Sequence, residues 1–159
     1  MRVITERLKE RVYAQLSVVA VTIGLALGES GSARAAASAV AATALGLWLA
    51  TVAADQQAHA AVHGRVARGH DLRILLFRTS PLLTAAIGPL LMIGLAALEV
   101  LPLVTALYLA AGVDLALMFV WGFGLGRRMG AGLLAALFSG LANLVIGLMV
   151  VGVKLLAGH

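Results

Sequence analysis

Apolar residues run through this chain in long unbroken blocks, not in alternation and not in a single stripe of a surface helix. The blocks cover residues 12–28, 35–54, 80–98, 102–123 and 131–153. Each has close to the ~20 residues that an α-helix needs to cross about 30 Å of hydrocarbon. A transmembrane β-barrel would alternate apolar and polar positions. These blocks are continuously rich in Ala, Leu and Gly, so the pattern predicts an all-α integral membrane protein with five transmembrane helices in one domain, residues 1–159. Polar breaks separate the blocks: ESGSAR as a turn, residues 55–79 as a longer polar segment, EVLP as a tight connection and GLGRRMG as a second turn. Pro81 and Pro89 predict a bend in the third span, because proline removes a helix hydrogen bond. His70 and Asp71 are expected in a turn after Gly69, with Asp71 capping a helix that starts at Leu72.

Composition agrees with this class. Only 12% of residues are charged and 62% are hydrophobic, with a mean hydropathy of +1.02. A soluble domain carries about a quarter charged residues. The chain has no cysteine, which excludes disulfides, thiolate metal sites and a cysteine nucleophile. Basic residues, an apolar run and SGSARAAASA look like a secretory signal. The length of the apolar sequence that follows favours a retained first span.

The net charge of +5 fits cytoplasmic loops and anionic lipid better than nucleic acid, since no basic segment is interleaved with aromatics. Placing the N-terminus in the cytoplasm puts Arg2, Arg7, Lys9, Arg11, Arg65, Arg68, Arg73, Arg78, Arg127 and Arg128 inside. Only Arg34 and Lys154 then lie outside, so ten of the 12 Lys and Arg obey the positive-inside rule. The C-terminus is then outside, residues 55–79 form a cytoplasmic segment, and Trp48 and Trp121 fall toward the inner interface. A bacterial-type inner (plasma) membrane suits this layout. Five spans do not divide into two equal repeats, so a two-fold homodimer is the expected source of any central cleft. Small residues four apart let helices approach in lipid. Such stripes occur at Ala20, Gly24 and Gly28, at Gly46, Ala50 and Ala54, and at Gly132, Ala136 and Gly140. They pack helices within a protomer or join two protomers.

Asp114 is the one acid deep inside an apolar block. A charged Asp at mid-bilayer costs about 2.5–3.5 kcal/mol on insertion scales, so it must pair, be protonated or face water. Met118 lies one turn later and can share a cation with it, or simply pack. Asn143, with Ser139 one turn before it, lies at similar depth in the last span. These two can hydrogen-bond Asp114, line a path with it or only join helices. At the end of the second span, Asp55, His59 and His63 recur every four residues. Two His at i, i+4 with a carboxylate one turn away can hold a divalent metal at an inner mouth. The same pattern also marks an ordinary solvated helix end. No nucleophile elbow, H-E-x-x-H or P-loop occurs, and no Lys lies mid-span, so an enzyme is not expected. No tightly bound cofactor is expected either.

The stretches MFVWGFGLGRRMGAGLLAALFSGLANLVIGLMVVGVKLLAG and SPLLTAAIGPLLMIGLAAL resemble the last two spans and the Pro-containing third span of vacuolar iron transporter-like proteins. The resemblance implies a dimeric five-helix architecture with a divalent metal as cargo. The first span, VYAQLSVVAVTIGL, lacks that family's acid, and the stretch from Arg65 to Arg78 is basic where the family collects metal on acids. In LWLATVAADQQAHAAVHG, Asp55 and Gln57 stand near the family's acidic position. A cation path here would therefore use other ligands. The sequence points to a homodimeric transporter or channel for a divalent metal, a proton or both, with Asp114 alternating between neutral and charged forms. A non-transporting scaffold, or an accessory subunit of a larger membrane complex, is the alternative. Lipid or anion binding at the basic face is a third.

Overall fold

A computed structural model of the protein describes residues 2–28, 31–130 and 132–157. These fold into six α-helices: α1 (Arg2–Leu27), α2 (Ala33–His63), α3 (His70–Thr84), α4 (Ile87–Ala97), α5 (Leu103–Arg128) and α6 (Leu133–Ala157). Five stretches are long and apolar enough to cross a membrane: Lys9–Leu27, Ala33–His63, His70–Ala97, Leu103–Arg128 and Leu133–Leu156. The chain is an all-helical, multi-pass membrane protein by this measure, as the five apolar blocks predict.

The third span is a pair of helices. α3 and α4 meet at Ala85–Ala86. Pro89 explains the position of the break: it has no N–H to give the carbonyl four residues earlier, and its ring collides with that carbonyl, which belongs to Ala85. Pro81 lies inside α3 and leaves the Phe77 carbonyl without its usual donor. The hydroxyl of Ser80 fills that place, donating to Phe77 O at 2.9 Å. Thr84 donates to Pro81 O at 3.1 Å, and Thr79 to Leu75 O and Leu76 O, each at 3.2 Å. In lipid a freed backbone group must be met from within, and the Ser80 hydroxyl meets the Phe77 carbonyl here.

The loop between α2 and α3 is short, residues 64–69. α2 continues to His63 and has 31 residues, about 46 Å at the helical rise. It extends beyond the hydrocarbon and carries Asp55, His59 and His63 on one unbroken helix. Gly64 ends it at φ 66°, where its N–H bonds Ala60 O at 2.8 Å. Such a left-handed cap favours glycine. α3 begins at His70 with Gly69 (φ 54°) before it. This corrects the expected cap: Asp71 lies inside the first turn and makes no side-chain cap bond.

α1 is the central helix. It packs on α2, α3, α5 and α6, whereas α4 packs on α2 and α5. Ala14, Val18, Val19 and Ile23 are buried on α1, and Val19 and Ile23 join Ala111 of α5 in one cluster. A larger cluster gathers Ala26, Val40, Ala86, Ile93 and Leu107 from α1, α2, α4 and α5. The closest helix pair is α5–α6. A Cβ on Gly126 would stand 2.5 Å from Ala136 Cα, and one on Gly122 would stand 2.9 Å from Gly140 Cα. The Ala136 and Gly140 part of the α6 stripe therefore packs within the protomer. The stripe on α2 does not: Gly46, Ala50 and Ala54 are exposed. Leu134, Phe138 and Met149 of α6 are exposed as well, as expected of a surface solvated by lipid tails.

Alternating spans bring the starts of α1, α3 and α6 to one end of the bundle, with the ends of α2 and α5. The Arg11 guanidinium stacks over the Trp121 ring at 4.2 Å and ties α1 to α5 there. This end holds the basic residues of both polar loops, and we call it the basic end.

Candidate functional site

Two places hold unusual polar chemistry, one inside the bundle and one at its basic end.

The inner place centres on Asp114. Its side chain is 2% exposed, and its Oδ2 has no hydrogen-bond partner among the described residues. Oδ1 lies 3.9 Å from where a Cβ of Gly88 would stand. Gly88 is in the first turn of α4, directly after the broken span's interruption. The carboxylate thus meets the N-terminal end of a half-helix, where the helix dipole favours negative charge. Ala110, Ala111 and Met118 are buried around it on α5.

Gln15 on α1 is a second buried acceptor. It is 3% exposed and its Oε1 has no hydrogen-bond partner among the described residues. Two contacts bracket it against α5: Arg11 on Trp121 toward the basic end, and Val19 with Ala111 further in. Asp114 falls in the same interval on α5. The sequence signal for Gln15 was a polar residue inside the first apolar block; a search limited to acids passes over it.

The other predicted members separate from Asp114. Asn143 does not pair with it. Its amide nitrogen sits against Gly122, where a Cβ would come within 2.5 Å. Gly122 is eight residues beyond Asp114, about 12 Å along the helix. Antiparallel packing of α5 and α6 gives this register, and Gly147 rather than Asn143 lies opposite the region of Asp114. Ser139 also falls at Gly122, through its backbone carbonyl. Met118 turns toward α6, where its sulfur lies 3.1 Å from the Cβ position of Gly147. Asp114 meets α4 instead, so the two side chains one turn apart serve different helix contacts.

The second place is a cavity of about 270 Å³ between α2 and α3. Asp55 and His59 line it from α2, with Asp71, Ile74, Leu75 and Arg78 from α3. Gln56 holds the intervening loop down: its Oε1 accepts from Ala67 N at 2.8 Å and its Nε2 donates to Ala67 O at 3.3 Å. With the loop fixed, Arg65 donates to Asp71 Oδ2 at 3.3 Å. His59 Nε2 stands 3.8 Å from the same oxygen, an ion-pair distance beyond hydrogen-bond reach. The rings of His59 and His63 stack with centroids 4.2 Å apart and 18° between planes. His63 Nδ1 lies 3.1 Å from His59 O, on its own helix. Asp55 and His59 therefore share the cavity, while His63 lies stacked at its edge. Among the described residues, no three of His, Cys, Asp and Glu converge on one metal position. Asp71, Arg65 and Arg78 were not foreseen as members, because a loop and a second helix bring them in.

Between cavity and Asp114, α3 and α4 place the buried side chains of Thr79, Leu82 and Ala86. The cavity is thus at the end of the bundle, and the isolated carboxylate is inside it. Compared with family models, curated proteins and solved structures, the chain matches none.

Proposed function

We propose that this protein moves a small cation across the membrane, with Asp114 as the group that takes up and releases it. The observation that carries this reading is the buried Asp114 Oδ2, which has no donor among the described residues. An Asp kept only to join helices would have a partner, since an unmet buried acceptor costs about 1–3 kcal/mol. An acceptor left open at mid-span is ready for a proton or an ion, and intramembrane acids are generally functional. The broken α3–α4 span adds support. Half-helix ends at an interruption are a recurrent way to hold ions at mid-membrane. The α4 N-terminus stabilises the charged form of Asp114, and the apolar surroundings stabilise the neutral one.

Charge balance favours a proton or monovalent ion over a divalent metal. Among the described buried residues, Asp114 is the one that ionises. One carboxylate neutralises one positive charge, and an uncompensated charge in a low-dielectric interior costs several kcal/mol. Gln15 Oε1 is a neutral acceptor and fits the same cargo. The positive-inside count supports an N-terminus in the cytoplasm and a C-terminus outside. The exposed Gly46, Ala50 and Ala54 face of α2 supports a homodimer. It equally suits the second reading, an accessory subunit that docks on a larger membrane complex.

The test is ion flux in proteoliposomes. Wild type and Asp114→Asn would be compared under a pH step and with sodium, potassium, manganese, iron and zinc. Proton or monovalent flux is expected in wild type and should fall to the liposome background in the variant. A hydrophobic carbodiimide should label the protonated Asp114; a carried sodium or potassium ion would protect it, whereas a carried proton would leave labelling to rise as pH falls. Undiminished flux in folded Asp114→Asn would remove the carboxylate from the path. No flux of any of these ions through folded wild type would favour the accessory subunit.

A further inference from the structure

The α2–α3 cavity has a character that neither a metal site nor an anion site shares. Its walls carry both signs of charge. Asp55 and Asp71 contribute carboxylates, while Arg78 contributes a guanidinium and His59 an imidazole. A metal ion would meet Arg78 in the lining, and an anion would meet two acids. Arg65 already partners one oxygen of Asp71. Asp55 has no ion pair or hydrogen bond from its side chain among the described residues. Each wall brings a carboxylate and a basic side chain, Asp55 with His59 on α2 and Asp71 with Arg78 on α3, so the ligand that such a lining matches has a cationic and an anionic end.

The site is also built in advance. Both hydrogen bonds of Gln56 to Ala67 hold the loop, and the loop holds Arg65 on Asp71. Preorganised polar walls bind with less ordering cost than mobile ones. The cavity has a volume of about 270 Å³ and opens to the outside. It fits a group of eight or so heavy atoms, the size of an amine joined to a phosphate by two carbons.

Its position favours a particular source. Ile74 is both a wall of the cavity and 38% exposed, and Phe77, one turn on, is 60% exposed. The cavity therefore runs into the apolar outer surface of α3, at the basic end of the bundle where headgroups lie. We infer that the α2–α3 cavity binds the ammonium-and-phosphate headgroup of an aminophospholipid, its ammonium on Asp55 and its phosphate on Arg78 and His59. This site is independent of the cation path and stands or falls without it.

Lipid retention in a detergent-to-nanodisc exchange tests it. Purified protein would be offered equimolar phosphatidylethanolamine, phosphatidylcholine and phosphatidylglycerol, and the bound lipid counted by native mass spectrometry. Wild type should keep phosphatidylethanolamine over the other two by about tenfold, the weight of one charge-assisted contact. Asp55→Asn should bring the three lipids to parity while leaving the protein folded by circular dichroism. Phosphatidylcholine matters because its methylated ammonium cannot donate hydrogen bonds to Asp55. Soluble O-phosphoethanolamine forms the second arm. If it displaces the lipid at millimolar concentration, the site recognises the headgroup chemistry from either source; if it does not, the acyl chains beside Ile74 and Phe77 are part of the recognition. Equal retention of all three lipids by wild type, preference for phosphatidylglycerol, or a preference for phosphatidylethanolamine that survives Asp55→Asn would each overturn the assignment. So would manganese or zinc displacing the lipid from wild type but not from Asp55→Asn, since that would make the cavity a metal site.

Discussion

The basic end of the α2–α3 pair and the interior around Asp114 treat polar side chains differently. At the end, Asp71 accepts from Arg65 and Gln56 meets both backbone groups of Ala67, while His59 Nε2, 3.8 Å from Asp71, has no hydrogen-bond partner among the described residues. In the interior, Asp114 Oδ2 and Gln15 Oε1 have no hydrogen-bond partner among the described residues. Water and long loop side chains make partners cheap at the interface, and a lapse there costs little. Inside a bundle the same lapse is expensive, because no water replaces the missing donor. The two regions therefore teach different things. Anchored side chains at the end shape a cavity and leave His59 Nε2 unpartnered within it, whereas the open acceptors in the interior, on the proposed reading, mark a position that a passing ion would fill.

Substitutions can break this contrast. The largest stability effect should come from Asp114→Leu. If the carboxylate is an open acceptor, replacing it with an apolar side chain removes the desolvation cost and stabilises the bundle by about 1–3 kcal/mol. An interhelical lock would instead lose its bond, and thermal unfolding in detergent would show a lower midpoint. Gln56→Ala should act with the opposite sign at the other region. Losing both bonds to Ala67 should cost about 1–2 kcal/mol and release the loop, seen as faster proteolysis after Arg65 and Arg68. Unchanged proteolysis would mean that packing of the buried Ala67 holds the loop without the amide. The smallest effect is expected for Asn143→Ala. Polar contacts between membrane helices contribute around 0.6 kcal/mol, and Asn143 lies at Gly122, away from Asp114. Its flux should equal that of wild type, and a large loss would reconnect Asn143 to the path.

Several of these features were legible in the chain alone. Continuous apolar blocks identify spanning helices because the bilayer imposes one length and permits no unsatisfied backbone. The i, i+4 spacing of Asp55, His59 and His63 places them on one helix face once α2 continues that far. Asp114 is conspicuous as an acid in an apolar block. Pro81 and Pro89 announce a disturbance in the third span, although only the identity of the carbonyl four residues before Pro89 puts the break at Ala85–Ala86.

Other features depend on which helices become neighbours. Helical periodicity fixes the direction of a side chain about its own axis, but not what stands opposite. The pairing of Asn143 with Gly122 follows from the α5–α6 register, which close approach at Gly126 and Ala136 sets. Asp71 takes Arg65 instead of capping its helix because Gln56 pins the loop between them. Gln15 is buried because α1 became the central helix, packed by α2, α3, α5 and α6. Sequence by itself determined the class, the number of spans and the candidate acid, since these depend on the solvent and on local helix geometry. Tertiary structure alone decided which acceptors stay open and which charges share a cavity, since those depend on contacts between residues far apart in the chain.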